Sequence, residues 1–164
     1  MSAETFMPTD DELFRPSLTP ADDAVGFSRP WSPDALTAVA FFAGPVGGGV
    51  LFAWNAHRLG IIGGVRRYSV LFAALSIVVY GGMSYLLAFD PDGDGSLHRL
   101  GERALTVVVA LVAAREQRPR FRVCLGHGGE VGPLLIIGLA MIVLGLVMTF
   151  IGVWILAVLW SLIL

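Results

Sequence analysis

Long apolar stretches alternate along this chain with short arginine- or aspartate-rich ones, and the longest of them, Val131 to Leu164, runs 34 residues without a charged side chain. A transmembrane helix needs about 20 apolar residues, so this stretch crosses a bilayer once with length to spare. A first apolar helix is predicted from Pro33 to about Trp54. Ser32-Pro33-Asp34 marks its start: a hydroxyl to cap, a proline at the first helical position and an acid at the positive end of the dipole. Run straight, that helix would hold Trp31 and Trp54 roughly 35 Å apart, at the two interfaces that indoles favour. A second run extends from Tyr68 to Phe89 and stops at Asp90-Pro91. The third, Ala104 to Ala114, offers eleven uncharged residues and spans only with help from Leu97 to Arg103. That length also fits a re-entrant, interfacial or protein-buried helix.

The pattern predicts an all-α integral membrane protein with three to four transmembrane helices, at about 33–54, 68–89, 97–114 and 131–164. Orientation follows the basic residues of short loops. Arg58, Arg66 and Arg67 fall between the first two helices, and Arg115, Arg118, Arg120 and Arg122 follow the third segment. Both clusters reach the cytoplasm if the third segment crosses, which gives four passes with the N-terminus and C-terminus outside. A three-pass arrangement would strand the second cluster.

Composition agrees: 55% hydrophobic and 15% charged residues, with a mean hydropathy of +0.75, lie far from the soluble balance of about 25% charged. The net charge of −2 leaves no cationic excess for a nucleic-acid partner. All eleven basic residues are arginine, and Cys124 is the single cysteine, which precludes an internal disulfide. Residues 1–28 carry Glu4, Asp10, Asp11, Glu12, Asp22 and Asp23 against Arg15 alone, with prolines at 8, 16 and 20. Such a segment buries too little surface to fold, so a flexible acidic tail is expected ahead of a membrane domain at 29–164.

Glycines supply the predicted packing surfaces, because in lipid helices associate where small residues let backbones approach. Gly44 and Gly48 give a GxxxG spacing in the first helix, where Pro45 should add a kink. Gly138, Gly145 and Gly152 recur every seven residues in the last helix, the period of a left-handed crossing. These faces serve either packing within the chain or assembly with a protein partner or a second copy.

Three groups invite chemistry. Asp90, Asp92, Asp94 and Gly95 reproduce the opening of a calcium loop, but Gly101 occupies the position of the closing carboxylate, so an acidic turn competes with a weak calcium site. Cys124, His127 and Glu130 offer thiolate, imidazole and carboxylate, yet a stable zinc site needs about four ligands. His57, just past the first helix, is a candidate axial ligand for haem or a pigment, set against a plain role at the headgroups. Past Asp34 in the first turn, the firmly predicted spans hold no Asp, Glu, Lys, Arg or His, which speaks against a coupled transporter.

Arg29-Pro30-Trp31-Ser32-Pro33, Gly44-Pro45-x-x-Gly48-Gly49 and Asn55-x-x-Arg58-Leu59-Gly60 together resemble a group of small bacterial integral membrane proteins of uncharacterised function. The likeness covers mainly the first helix, with a looser echo at His127-Gly128-Gly129. It implies a bacterial inner-membrane location and carries no activity or catalytic residue. The reading that follows is a non-enzymatic membrane subunit of a larger complex, in contact with membrane lipids. A small oligomeric channel or transport component is the alternative, and a pigment- or haem-binding subunit the second.

Overall fold

The computed structural model describes residues 29–89 and 95–163, and among them the chain is all helical. Four helices follow in order: α1 (Pro33–Arg58), α2 (Gly64–Phe89), α3 (Gly95–Gly126) and α4 (Leu135–Ile163). Pro33–Arg58, Gly64–Leu86 and Leu135–Leu162 are long and apolar enough to cross a membrane by length and composition.

The first of these does not run straight. Gly44 has φ +66° and ψ −172° inside α1, a conformation that is essentially glycine's alone. Pro45 then opens the next turn with the fixed φ that suits a first helical position. The chain reverses between them, and α1 is a helical hairpin of two limbs, 33–43 and 45–58. Its ends meet: the Trp31 and Trp54 rings lie edge to face with centroids 5.5 Å apart. The expected separation of roughly 35 Å, and with it the placing of these indoles at opposite interfaces, is therefore incorrect. Pro45 does more than kink a helix, because the glycine before it ends one limb.

Small residues let the two limbs touch. A Cβ on Gly48 would sit 3.0 Å from the Ala40 Cβ, and one on Gly47 would sit 2.6 Å from that of Ala43. At the base, the buried Asn55 side chain accepts from the Trp31 N–H at 2.7 Å and donates to the Trp31 carbonyl at 3.2 Å. Its amide also donates to Gln117 Oε1 at 2.8 Å, while Gln117 Nε2 donates to the Phe52 carbonyl at 2.9 Å. One buried amide thus joins the limbs, and a second ties them to α3. Arg58 completes the base, its guanidinium 4.0 Å from the Trp31 ring centroid.

The hairpin is the core, and the other helices gather round it. Trp31, Leu36, Ala40, Leu51 and Phe52 are fully buried, with Phe72 of α2 stacked on Phe52 at 5.7 Å. α1 packs on all three other helices, whereas among the described residues α3 and α4 do not pack on each other. α3 outruns its expected end at 114 and continues through Pro119 to Gly126. The physical reason is burial, since Ala113, Ala114, Gln117 and Cys124 all face inward. Arg115, Arg118, Arg120 and Arg122 consequently lie on a helix rather than a loop. α4 begins at Leu135, after Pro133, whose carbonyl accepts from Trp31 Nε1 at 3.1 Å.

The reversal also changes which ends lie together. Arg29 pairs with Glu130 at 2.8 Å, Arg67 with Glu116 at 2.8 Å, and Arg118 with Asp34 at 2.5 Å. Both arginine clusters therefore share one end of the bundle, although α1 does not carry the chain to the other end. Arg29 belongs to that end, and α4 runs away from it.

The glycine stripe of α4 is occupied within the chain. A Cβ on Gly138 would meet Val39 at 3.3 Å, and one on Gly152 would meet the Tyr80 ring at 3.0 Å. One on Gly145 would collide with the Ala43 carbonyl oxygen, at the hairpin tip. Gly145→Ala must push α4 off the hairpin, at about 1–3 kcal/mol for overpacking, and should lower the melting temperature in detergent by several degrees. Gly81→Ala, with nothing within 4 Å of its Cβ, should leave it unchanged or slightly raised.

Candidate functional site

The hairpin reaches only part of the way along its neighbours. Its second limb spans about 20 Å against a hydrocarbon core of about 30 Å, and the tip at Gly44 ends inside the bundle. Among the described residues beyond the tip the remaining helices are not closed over one another, because α3 packs little on α2 and not at all on α4. A cavity of about 120 Å³ lies there, bounded by Phe41 and Gly44 of α1, Met83 of α2, Glu102 of α3 and Thr149 of α4. A shallow groove of about 180 Å³, open at the surface between α2 and α3, adjoins it. Glu102 and Met83 line both.

Glu102 is the central group. One of its carboxyl oxygens lies 3.5 Å from where a Gly44 Cβ would stand, and Thr149 Oγ1 lies 3.8 Å from the same point. Any side chain at residue 44 would thus intrude between them. Thr149 Oγ1 is 3.1 Å from Tyr80 Oη, which links α4 to α2 at this level. Arg103 places its guanidinium 5.3 Å from the Phe41 ring centroid, and Arg99 also lines the first cavity.

The electrostatic setting follows from the reversal. The first turn of the second limb presents N–H groups that have no partner earlier in that limb, together with the positive end of its dipole. The Glu102 carboxyl lies near that end, beside Gly44. The first limb ends at the same place with carbonyls, and the Ala43 oxygen lies against the bare Cα of Gly145, a geometry that permits a weak C–H···O contact. The tip therefore offers donors, acceptors and an ionisable carboxyl beside open space. That combination suits binding and passing a small polar species. No nucleophile–base pair stands among these residues.

The other candidates lie elsewhere. His57 is exposed at the hairpin's exit. His127 is exposed too, with Nδ1 2.8 Å from the Val123 carbonyl. Glu130 is taken up by Arg29. Cys124 is buried, and burial pushes its thiol pKa up, the opposite of what an activated nucleophile requires. Among the described residues no three His, Cys, Asp or Glu side chains gather as a metal site. Asp90, Asp92 and Asp94 lie outside the described residues. Gly44 forms the site's wall, Gly48 packs on Ala40 and Phe72, and Gly138, Gly145 and Gly152 hold α4 in place.

Glu102 and Thr149 escaped the sequence reading, since Glu102 fell in a segment of undecided span. Gly-Pro was the available signal: a glycine that ends one helix followed by a proline that starts another. No protein-family model, no curated protein and no solved structure matches the chain.

If water fills the space under the tip, a cysteine there behaves differently from one facing lipid at the same level. With Cys124 replaced by Ser, Glu102→Cys should react quickly with a charged thiol reagent. Val143→Cys, exposed on α4 two residues from the tip contact, should react at least about tenfold more slowly, because a thiol in hydrocarbon does not ionise. Equal rates would show the cavity to be dry.

Proposed function

We propose that the protein is a non-enzymatic bacterial inner-membrane protein that conducts a small polar solute or ion past the tip of its re-entrant hairpin. The observation that carries this reading is the Glu102 carboxyl at the break in the hairpin, beside a cavity and its adjoining groove. Ionisable groups within a membrane are costly and mark solute, ion or proton paths. Broken backbone at membrane depth is tolerated where it is buried in protein or lines a water-filled cavity, and half-helix ends are recurrent binding devices in transporters.

The reading makes α2, α3 and α4 the crossing helices and leaves α1 as a re-entrant wedge. α3 then needs only its eleven uncharged residues in lipid, because its charged turn at Arg99, Glu102 and Arg103 faces the cavity level. The arginine-rich end faces the cytoplasm by the positive-inside rule. Residue 29 lies at that end, so this orientation places the N-terminal side inside and the C-terminal side outside. Assembly into a larger complex has less to support it than the sequence alone implied, because the glycine faces are filled within the chain. A haem or pigment role for His57, which is exposed at the hairpin's exit, rests on the sequence alone.

Reconstituted into liposomes, the chain should dissipate a gradient of a proton, a small inorganic ion or a small neutral polyol above the level of empty vesicles. Glu102→Gln should reduce that flux at least about tenfold while the protein stays folded and inserted, the scale expected when a pathway carboxyl is lost. Absence of flux for every such species would contradict the reading.

A further inference from the structure

The end of the bundle that carries the hairpin base is strongly basic once the reversal has brought its parts together. Eight of the eleven arginines lie there: Arg29, Arg58, Arg66 and Arg67 from the first half of the described chain, and the four of α3 from Arg115 to Arg122. Among the described residues three acids share that end, Asp34, Glu116 and Glu130, and each is already paired with an arginine. The net charge of the end is +5. Arg58 lies over Trp31 and donates to the Arg29 carbonyl at 2.9 Å. Arg66, Arg115, Arg120 and Arg122 are exposed and have no acid partner among the described residues.

The complementary charge is in the same chain. Residues 1–28 carry six acids against one arginine, a net charge of −5. They join the bundle at Arg29, which is part of the basic end. Asp22 and Asp23 lie within seven residues of that junction, a reach of up to about 25 Å. Asp10, Asp11 and Glu12 lie farther back, with reach enough to cross the whole end. Had α1 run straight, the tail would have joined the opposite end, away from both arginine clusters.

We propose that residues 1–28 bind back on their own bundle, the two acidic groups Asp22-Asp23 and Asp10-Asp11-Glu12 covering the exposed arginines of α2 and α3. The tether supplies the acids at an effective concentration in the millimolar range for a short linker. The contact is electrostatic and solvent-facing, so it weakens with salt. It hides a basic face that would otherwise take anionic headgroups, and the tail thereby sets what that face is free to bind. The proposal stands whether or not the hairpin tip conducts.

The test is a distance between spin labels in the full chain, in nanodiscs of neutral phosphatidylcholine. Cys124 is replaced by Ser, and labels are placed at Thr9→Cys and Gly126→Cys, the latter at a position with nothing within 4 Å. At low salt a narrow short-distance population is expected. It should fall at least about threefold in 1 M salt, where the Debye length shrinks to roughly 3 Å. Replacing the five acids of the two groups by their amides should abolish it, and so should Arg115→Gln, Arg120→Gln and Arg122→Gln together. Those three side chains are exposed and outside the ion pairs, so the bundle remains folded, as its melting temperature will report. A broad, salt-independent distribution at low salt would overturn the proposal. So would a short population present in neutral nanodiscs but lost in nanodiscs containing phosphatidylglycerol, which would assign the arginine face to anionic lipid.

Discussion

A chain that turns back inside a bundle of apolar helices has to adopt a backbone conformation that most residues cannot reach, and it has to hold its two limbs together at the base. Gly44 meets the first demand through a positive φ, and Pro45 restarts the helix at once. Asn55 meets the second. Its single side chain makes three hydrogen bonds in a fully buried setting, two to Trp31 and one to Gln117. A buried polar group stripped of its partner costs about 1–3 kcal/mol, and here the loss of one amide would strand several groups at once. Everything else about the bundle depends on these two points, the tip and the base.

From the reversal follow both ends of the molecule. At the base it brings residue 29, the α1–α2 turn, the end of α3 and the start of α4 to one level, where the arginines accumulate. At the tip it withdraws α1 from the space between α3 and α4 and leaves the cavity that Glu102 lines. α4 is held by close backbone approach, with Gly145 against the Ala43 carbonyl, while its outer face keeps large apolar side chains such as Leu139, Phe150 and Trp154 exposed. A helix with one glycine-lined inner face and an otherwise apolar surface fits lipid on its remaining sides.

Much of this was legible along the chain. Composition and the uncharged runs gave helices of the right number and rough position, and the seven-residue glycine spacing marked the residues that α4 uses for contact. What periodicity could not convey was direction. Residues 33–58 read as one apolar helix because hydropathy is blind to a reversal inside an apolar segment, and the small residues at 40, 43, 47 and 48 serve a hairpin as well as a helix–helix interface. The extension of α3 was hidden for a related reason. Its arginines suggested a loop, whereas the buried residues that hold the helix, Ala114, Gln117 and Cys124, are spaced three or seven apart among them. Glu102 looked like a flank of a short segment, and only the position of the hairpin tip gives it a role.

The hairpin itself is the claim on which the rest stands, and its geometry can be measured across one element. With Cys124 replaced by Ser, spin labels at Ala35→Cys and His57→Cys occupy two exposed positions near the two ends of α1. Packed limbs lie about 8–10 Å apart, so the labels should report a distance of roughly 20 Å or less in a lipid bilayer. A straight helix would separate the same positions by about 33 Å, and a distribution centred there would contradict the re-entrant fold, the cavity beneath its tip and the shared basic end together.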